Sequence, residues 1–166
     1  MSDPRPGLAL RDARDDDFEA LLALIGGVFD EYPGCVTDAD EMPELRAIAS
    51  YVREHDGCFW VYEDVADTPP RVVACCGFTA VPGGVELKKL YVDRSARRRG
   101  IAAELCQRVE DAARARGAGF VELWSDTRFQ DAHRLYRGRG YVDTGETREL
   151  HDKSDTVEYY FRLALG

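Results

Sequence analysis

The run VELKKLYVDRSARRRGIAAEL, residues 85–105, changes its periodicity halfway. Residues 85–92 read as a strand whose charge alternates over part of its length. From Ile101 onward, Ile101, Leu105, Val109, Ala112 and Ala113 recur on one face of a helix. Between the two lies a turn holding Arg94, Arg97, Arg98, Arg99 and Gly100. A strand that feeds an amphipathic helix through so short a turn lays that helix on the face of a sheet, which commits the chain to a layered α/β arrangement. The turn also stands against the charge of the rest. The 166 residues carry 31 Asp plus Glu against 22 Lys plus Arg, a formal charge of −9.

The remaining runs fit the same plan. Residues 8–13 alternate and read as a first strand. Phe18, Leu21, Leu22, Ile25, Val28 and Phe29 give a helical stripe that Asp15 or Asp16 can cap. Pro43 suits a helix first turn, with Leu45, Ile48, Ala49 and Val52 as the next stripe. Residues 58–64 and 71–81 read as strands separated by a Pro-rich turn, and Gly117 suits a helix C-cap. Residues 120–125 form a strand, Phe129, Ala132, Leu135 and Tyr136 a short helix, and 141–150 and 157–165 two closing strands. The expected fold is one domain over 1–166, a mixed six- or seven-stranded sheet flanked by about four helices.

Composition narrows the function classes. The acidic balance and a pI near 4.8 argue against broad nucleic-acid binding, which rewards a basic face. No apolar run approaches the ~20 residues of a membrane helix, and the N-terminus lacks signal-peptide character, so neither nucleic acid nor membrane is an expected partner and the expected compartment is the cytoplasm. The five cysteines match no metal spacing and read as core thiols, with Cys75 and Cys76 on opposite faces of a strand. No metal is expected.

The basic turn has its own chemistry. A helix N-terminus leaves backbone N–H groups unpaired and carries partial positive charge, and Gly100 lets a ligand approach the backbone closely. Guanidinium groups add donors suited to a pyrophosphate. A solvated basic turn accounts for the same residues, because short glycine motifs are weakly specific.

The neighbouring segments carry more. Arg97, Gly100 and Ala102 follow a strand and open a helix, and DAHRLYRGRGY (131–141) supplies Ala132, Leu135, Tyr136, Gly140 and Tyr141. In both motifs and their order the chain resembles the GNAT superfamily of acyl-CoA-dependent N-acetyltransferases, most firmly over residues 71–142. The resemblance implies acetyl-CoA as acyl donor and direct attack by an amine in a ternary complex. It implies that Leu90, Tyr91 and Val92 offer backbone groups to the pantetheine arm. Arg97, Arg98, Arg99, Gly100, Ile101 and Ala102 would wrap the pyrophosphate.

Tyr136 matches the family's general acid. A thiol near pKa ~8.5 and a phenol near ~10 make full proton transfer uphill by about 2 kcal/mol, so a hydrogen bond to the leaving thiolate is the sounder role. A core tyrosine on an apolar stripe is the alternative. Glu86 occupies the strand position of a glutamate base in some members, and otherwise reads as a solvent-facing partner of Lys88. The acceptor is a small-molecule or peptide amine, and a homodimer is compatible with the resemblance. A catalytically silent acyl-CoA-binding module is the alternative function.

Several other residues bear on the site. Many members carry Asn where this chain has Phe129, and Ser125 or Asp126 are the candidate replacements. His133 reads as a surface residue, His151 as part of a turn, and Trp60 and Trp124 as core. Glu31, Asp38, Asp40 and Glu41 read as solvated acids or as attractors of a cationic amine.

Overall fold

The computed structural model describes residues 5–166; residues 1–4 of the expected 1–166 domain lie outside the described residues. The elements run β1 (Leu8–Asp12), α1 (Phe18–Phe29), α2 (Ile48–Glu54), β2 (Cys58–Asp64), β3 (Arg71–Val81), β4 (Gly84–Val92), α3 (Ile101–Ala115), β5 (Phe120–Asp126), α4 (Gln130–Gly138), β6 (Val142–Glu149) and β7 (Val157–Ala164). The seven strands form one sheet in the order β1-β2-β3-β4-β5-β7-β6. All neighbours are antiparallel except β4 and β5, which the α3 crossover makes parallel.

Each face of the sheet has its own core. On one side α1 buries Leu21, Leu24, Ile25 and Val28, its i, i+3, i+4, i+7 stripe, the first three in one cluster with Val61 and Cys75. On the other, Leu105 and Val109 of α3 and Tyr136 of α4 cover Val121, Leu123 and Phe161. Each fully buried aliphatic side chain contributes about 1.5–3 kcal/mol relative to exposure. Cys75 and Cys76 fall in opposite cores, as strand alternation requires, and all five thiols are free. Gly117, at φ 73°, closes α3 in the left-handed conformation.

Two local expectations need correction. Neither Asp15 nor Asp16 caps α1. The residue before it is Asp17, whose carboxylate accepts from the Arg14 amide at 2.6 Å and from both terminal nitrogens of Arg11, while Asp15 accepts from the Ser50 amide at 2.8 Å. The stripe from Leu45 to Val52 is split: Pro43–Ala47 is a 3-10 segment, and only Ile48 onward is α-helical.

Two irregularities shape the centre of the sheet. Strands β4 and β5 pair only at Val85 with Val121 and Glu86 with Glu122, and diverge beyond. On its other edge β4 carries a bulge. Gly77 faces Lys88 and Cys75 faces Tyr91, so β4 spends one residue more than β3 over this stretch. Lys89 takes φ 56° there, and the Cys75 thiol donates to its carbonyl at 3.1 Å.

Candidate active site

The divergence of β4 from β5 opens a cleft of about 250 Å³. Glu86, Leu90 and Tyr91 line it from β4, Trp124, Ser125 and Asp126 from β5, and Tyr136 from α4. Four of the residues expected at the site, Glu86, Leu90, Tyr91 and Tyr136, therefore meet in one cavity. Val92 and residues 97–102 do not line it. They continue from the outer end of β4 into the N-terminus of α3.

Tyr136 is only 4% exposed and packs at a tilt against the rings of Tyr141 and Phe161, each 5.7 Å away. Its hydroxyl has no hydrogen-bond partner among the described residues, yet it is not sealed off as a buried unsatisfied group. Burial holds the phenol's pKa well above its ordinary value. Glu86 meets Lys88 Nζ at 3.3 Å, so the expected Lys88 partnership and a position in the cleft are both present.

The turn before α3 is built for close approach to its backbone. Arg98 and Gly100 take φ 62° and 75°, and Gly100 caps the helix without a side-chain bond. Among the described residues, the amides of residues 98–103 have no hydrogen-bond partner. Such consecutive free amides at a helix start form a concavity for an anion. Ile101 buries its side chain in the core and can offer only its N–H. The arginines divide their work. Arg98 is exposed without an ion-pair partner among the described residues, and Arg99 donates to the Pro6 carbonyl at 3.0 Å. Arg97 donates to both carboxylate oxygens of Glu31 at 2.6 Å and through Nε to the Val92 carbonyl at 3.1 Å.

The other named residues are placed as follows. Phe129, in place of the usual Asn, joins an aromatic cluster with Tyr32 (4.9 Å), Phe29 (6.2 Å) and Tyr91 (6.3 Å). His133 is not a surface residue. It is 3% exposed, packs against Tyr159 and Phe161, and its Nε2 lies 3.1 Å from Ser125 Oγ. Burial lowers its pKa and favours the neutral ring. Trp124 is not core either. It lines the cleft, stacked on Tyr160 at 4.8 Å with the Arg148 guanidinium 4.3 Å from its ring. Trp60 packs against Phe78 at 6.0 Å, and His151 is an exposed turn residue.

The four acids read as solvated or as attractors of a cationic amine are dispersed. Glu31 belongs to the basic turn, and Asp40 pairs with Arg46 outside the cleft. Asp38 and Glu41 line the cleft, but Asp38 pairs with Lys153 and Glu41 accepts from the Lys153 amide at 2.9 Å. Elsewhere in the lining Glu44 pairs with Lys89 (2.7 Å), Glu158 with Arg148 (2.7 Å) and Asp126 with Arg128 (3.2 Å). No group of His, Cys, Asp and Glu among the described residues is arranged to hold a metal ion, and no described helix is long and apolar enough to cross a membrane.

Sequence reasoning missed two functional features. Glu31 was read with the acids of the acceptor side, and only the fold returns the end of α1 to the basic turn. The bulge at Lys89 falls where the alternation of residues 85–88 breaks at the Lys88–Lys89 pair, a signal that reads equally well as partial alternation.

Comparison with known proteins supplies the family. Residues 25–141 match the acetyltransferase (GNAT) family. N-acetyltransferase 8 of Homo sapiens is 34% identical over 136 residues, covering 78% of this chain and 57% of the relative. The chain thus spans little more than half of that relative's length. The probable N-acetyltransferase camello of Xenopus tropicalis is 30% identical over 152 residues, 85% of this chain and 68% of the relative. A GNAT-family acetyltransferase from Staphylococcus aureus shares the fold with a TM-score of 0.78 at 19% identity, covering 96% of this chain and 99% of that one. The structure of yncA from Salmonella typhimurium with its cofactor acetyl-CoA aligns at 0.71 and 17% identity, over 96% and 95%. With most of its length matched to one family model and its fold matched to solved members, this chain belongs to the acetyltransferase (GNAT) family.

Proposed function

We propose that this chain is an acetyl-CoA-dependent N-acetyltransferase that moves an acetyl group to a primary amine by direct attack in a ternary complex. The observation that carries the reading is the cleft between β4 and β5, with the Tyr136 hydroxyl unpartnered in its lining and the free amides of residues 98–103 beyond the end of β4. The thioester donor supplies an activated acetyl group. The residues present fit such a donor: the amides of 98–103 with Arg98 receive its pyrophosphate, and the unpaired edge of β4 from Leu87 to Val92 hydrogen-bonds its amide-containing arm. The Val92 carbonyl has one lone pair occupied by Arg97, so Leu90 and Tyr91 carry most of that contact.

Backbone N–H groups on the same edge are placed to receive the negative charge that develops on the thioester oxygen. As the nitrogen–carbon bond forms, the carbon–sulfur bond breaks and the electron pair leaves on sulfur, where Tyr136 donates a hydrogen bond. The raised phenol pKa keeps that proton in place at neutral pH. Glu86, in the cleft beside Lys88, is the carboxylate assigned to the amine's proton. Holding both reactants in one cleft lowers the barrier by several kcal/mol before any proton transfer is counted.

The test is a calorimetric titration of acetyl-CoA into the wild type and an Arg99→Glu, Gly100→Asp double variant. Binding that the double variant loses, with thiol release on adding amines, is the expected result. A folded wild type that binds no acetyl-CoA would overturn the reading, and binding without thiol release for any amine would leave a silent binder in its place.

A further inference from the structure

Resting on the transferase reading, we infer that the acceptor is a small primary monoamine with an uncharged, apolar arm, held between Val36 and Leu150. Among the described residues four large hydrophobic side chains are exposed: Val36, Val65, Val142 and Leu150. Two of these, Val36 at 43% and Leu150 at 42%, line the same cleft from two loops that meet at Ser154. Exposed apolar side chains that converge on a concave site mark what the site binds.

The rim they form is fixed. Ser154 Oγ accepts from the Val36 amide at 2.8 Å and lies 3.3 Å from the Val36 carbonyl. Arg128 reaches from the Ser154 carbonyl to the Cys35 sulfur, tying both loops to the start of α4. An aperture held open in this way loses little freedom when a ligand enters.

Charge argues for the same class. A polyamine needs carboxylates free to meet its second and third ammonium groups. The carboxylates of Glu44, Glu86, Asp38, Asp126 and Glu158 are each matched by a lysine or arginine of the chain, and the other two in the lining are engaged by neutral donors, Glu41 by the Lys153 amide and Asp152 by the Thr156 amide and hydroxyl. Those same cations have no charge to spare for a carboxylate on the acceptor. Lys88, 3.3 Å from Glu86, further disfavours a second cation beside the reacting nitrogen. Beside the Tyr136 hydroxyl, what the cleft still offers without a partner among the described residues is apolar surface, Val36 and Leu150 foremost.

Steady-state thiol release at saturating acetyl-CoA tests this with phenethylamine, isopentylamine, putrescine and spermidine as acceptors. The two apolar amines are expected to exceed putrescine in kcat/KM by about tenfold or more. Leu150→Asp and, separately, Val36→Asp are expected to lower kcat/KM for phenethylamine by about tenfold through KM, leaving the KM for acetyl-CoA unchanged. Equal or better turnover of putrescine or spermidine overturns the inference, as does indifference of phenethylamine turnover to both variants. Donor binding without transfer to either apolar amine also overturns it. Titration of acetyl-CoA alone separates the two levels: no donor binding removes the transferase reading itself.

Discussion

Arg97 donates to both carboxylate oxygens of Glu31 at 2.6 Å, and the same guanidinium reaches back through Nε to the Val92 carbonyl at 3.1 Å. The last turn of α1 is thereby joined to the end of β4 and to the basic turn. Arg97, the first residue of the phosphate motif, is committed to holding the turn in shape, while Arg98 and the amides of residues 98–103 keep no partner among the described residues.

Replacing Glu31 should therefore weaken donor binding without touching the cleft. Glu31→Gln is expected to raise the dissociation constant for acetyl-CoA by about tenfold, with one member of a bidentate ionic pair lost. The hydrogen bonds and charge of Arg97 hold the Glu31 carboxyl below its ordinary pKa; burial opposes them, and Arg94 adds a smaller lowering. Its contribution is then present above the ordinary carboxylate range near pH ~4.3 and is lost only as pH falls through the lower folded value. Calorimetry from pH 8 to 5 should show a gap between wild type and variant that does not change.

Tyr136→Phe removes one oxygen from a site that otherwise keeps its rings. The expected result is acetyl-CoA affinity within about twofold of wild type and a kcat lower by about 10²-fold. Because burial pushes the phenol's pKa up, kcat of the wild type should show no tyrosine-linked fall below about pH 10. A pH–rate profile with both proteins checks each half of the statement.

Gly57→Ala should destabilise the fold far from the chemistry. A Cβ at Gly57 would stand 1.8 Å from the Phe78 carbonyl oxygen, a backbone atom that can move only with β3. A loss of about 2–4 kcal/mol is expected in denaturant unfolding.

Asp17 gives the fold an acid limit. It is 4% exposed and takes hydrogen bonds from Arg11 and the Arg14 amide. Burial alone would raise its pKa, and these bonds outweigh that and lower it. Its stabilisation is present above pH ~4 and is lost as pH falls through the depressed value. Asp17→Asn should cost about 2–3 kcal/mol at pH 7, and the difference should shrink below pH ~4.

The periodicities of 18–29, 71–81 and 101–113 were enough to place α1, β3 and α3, because burial of one face dictates both the element and the pattern. The turn at 97–102 and the helix at 132–136 were legible for a related reason: each takes its local conformation within its own short segment. What could not be read depended on a second segment. His133 sits off the apolar stripe of α4, yet β7 covers it. Trp124 alternates like a core residue, but β4 has left its side. Glu31 shows its partner only once the end of α1 comes beside Arg97.

The bulge at Lys89 adds one residue to β4 and exchanges the phase of everything after it. Leu90, Tyr91 and Val92 owe the way they face to the number of residues before them as much as to their own chemistry. The backbone at position 89 would suit residues at ease with positive φ such as glycine or asparagine, at the cost of the Lys89–Glu44 ion pair, while deletion of that single residue would rotate the strand's far half and change the edge it presents to the cleft. The opening in the sheet is in this sense encoded by length.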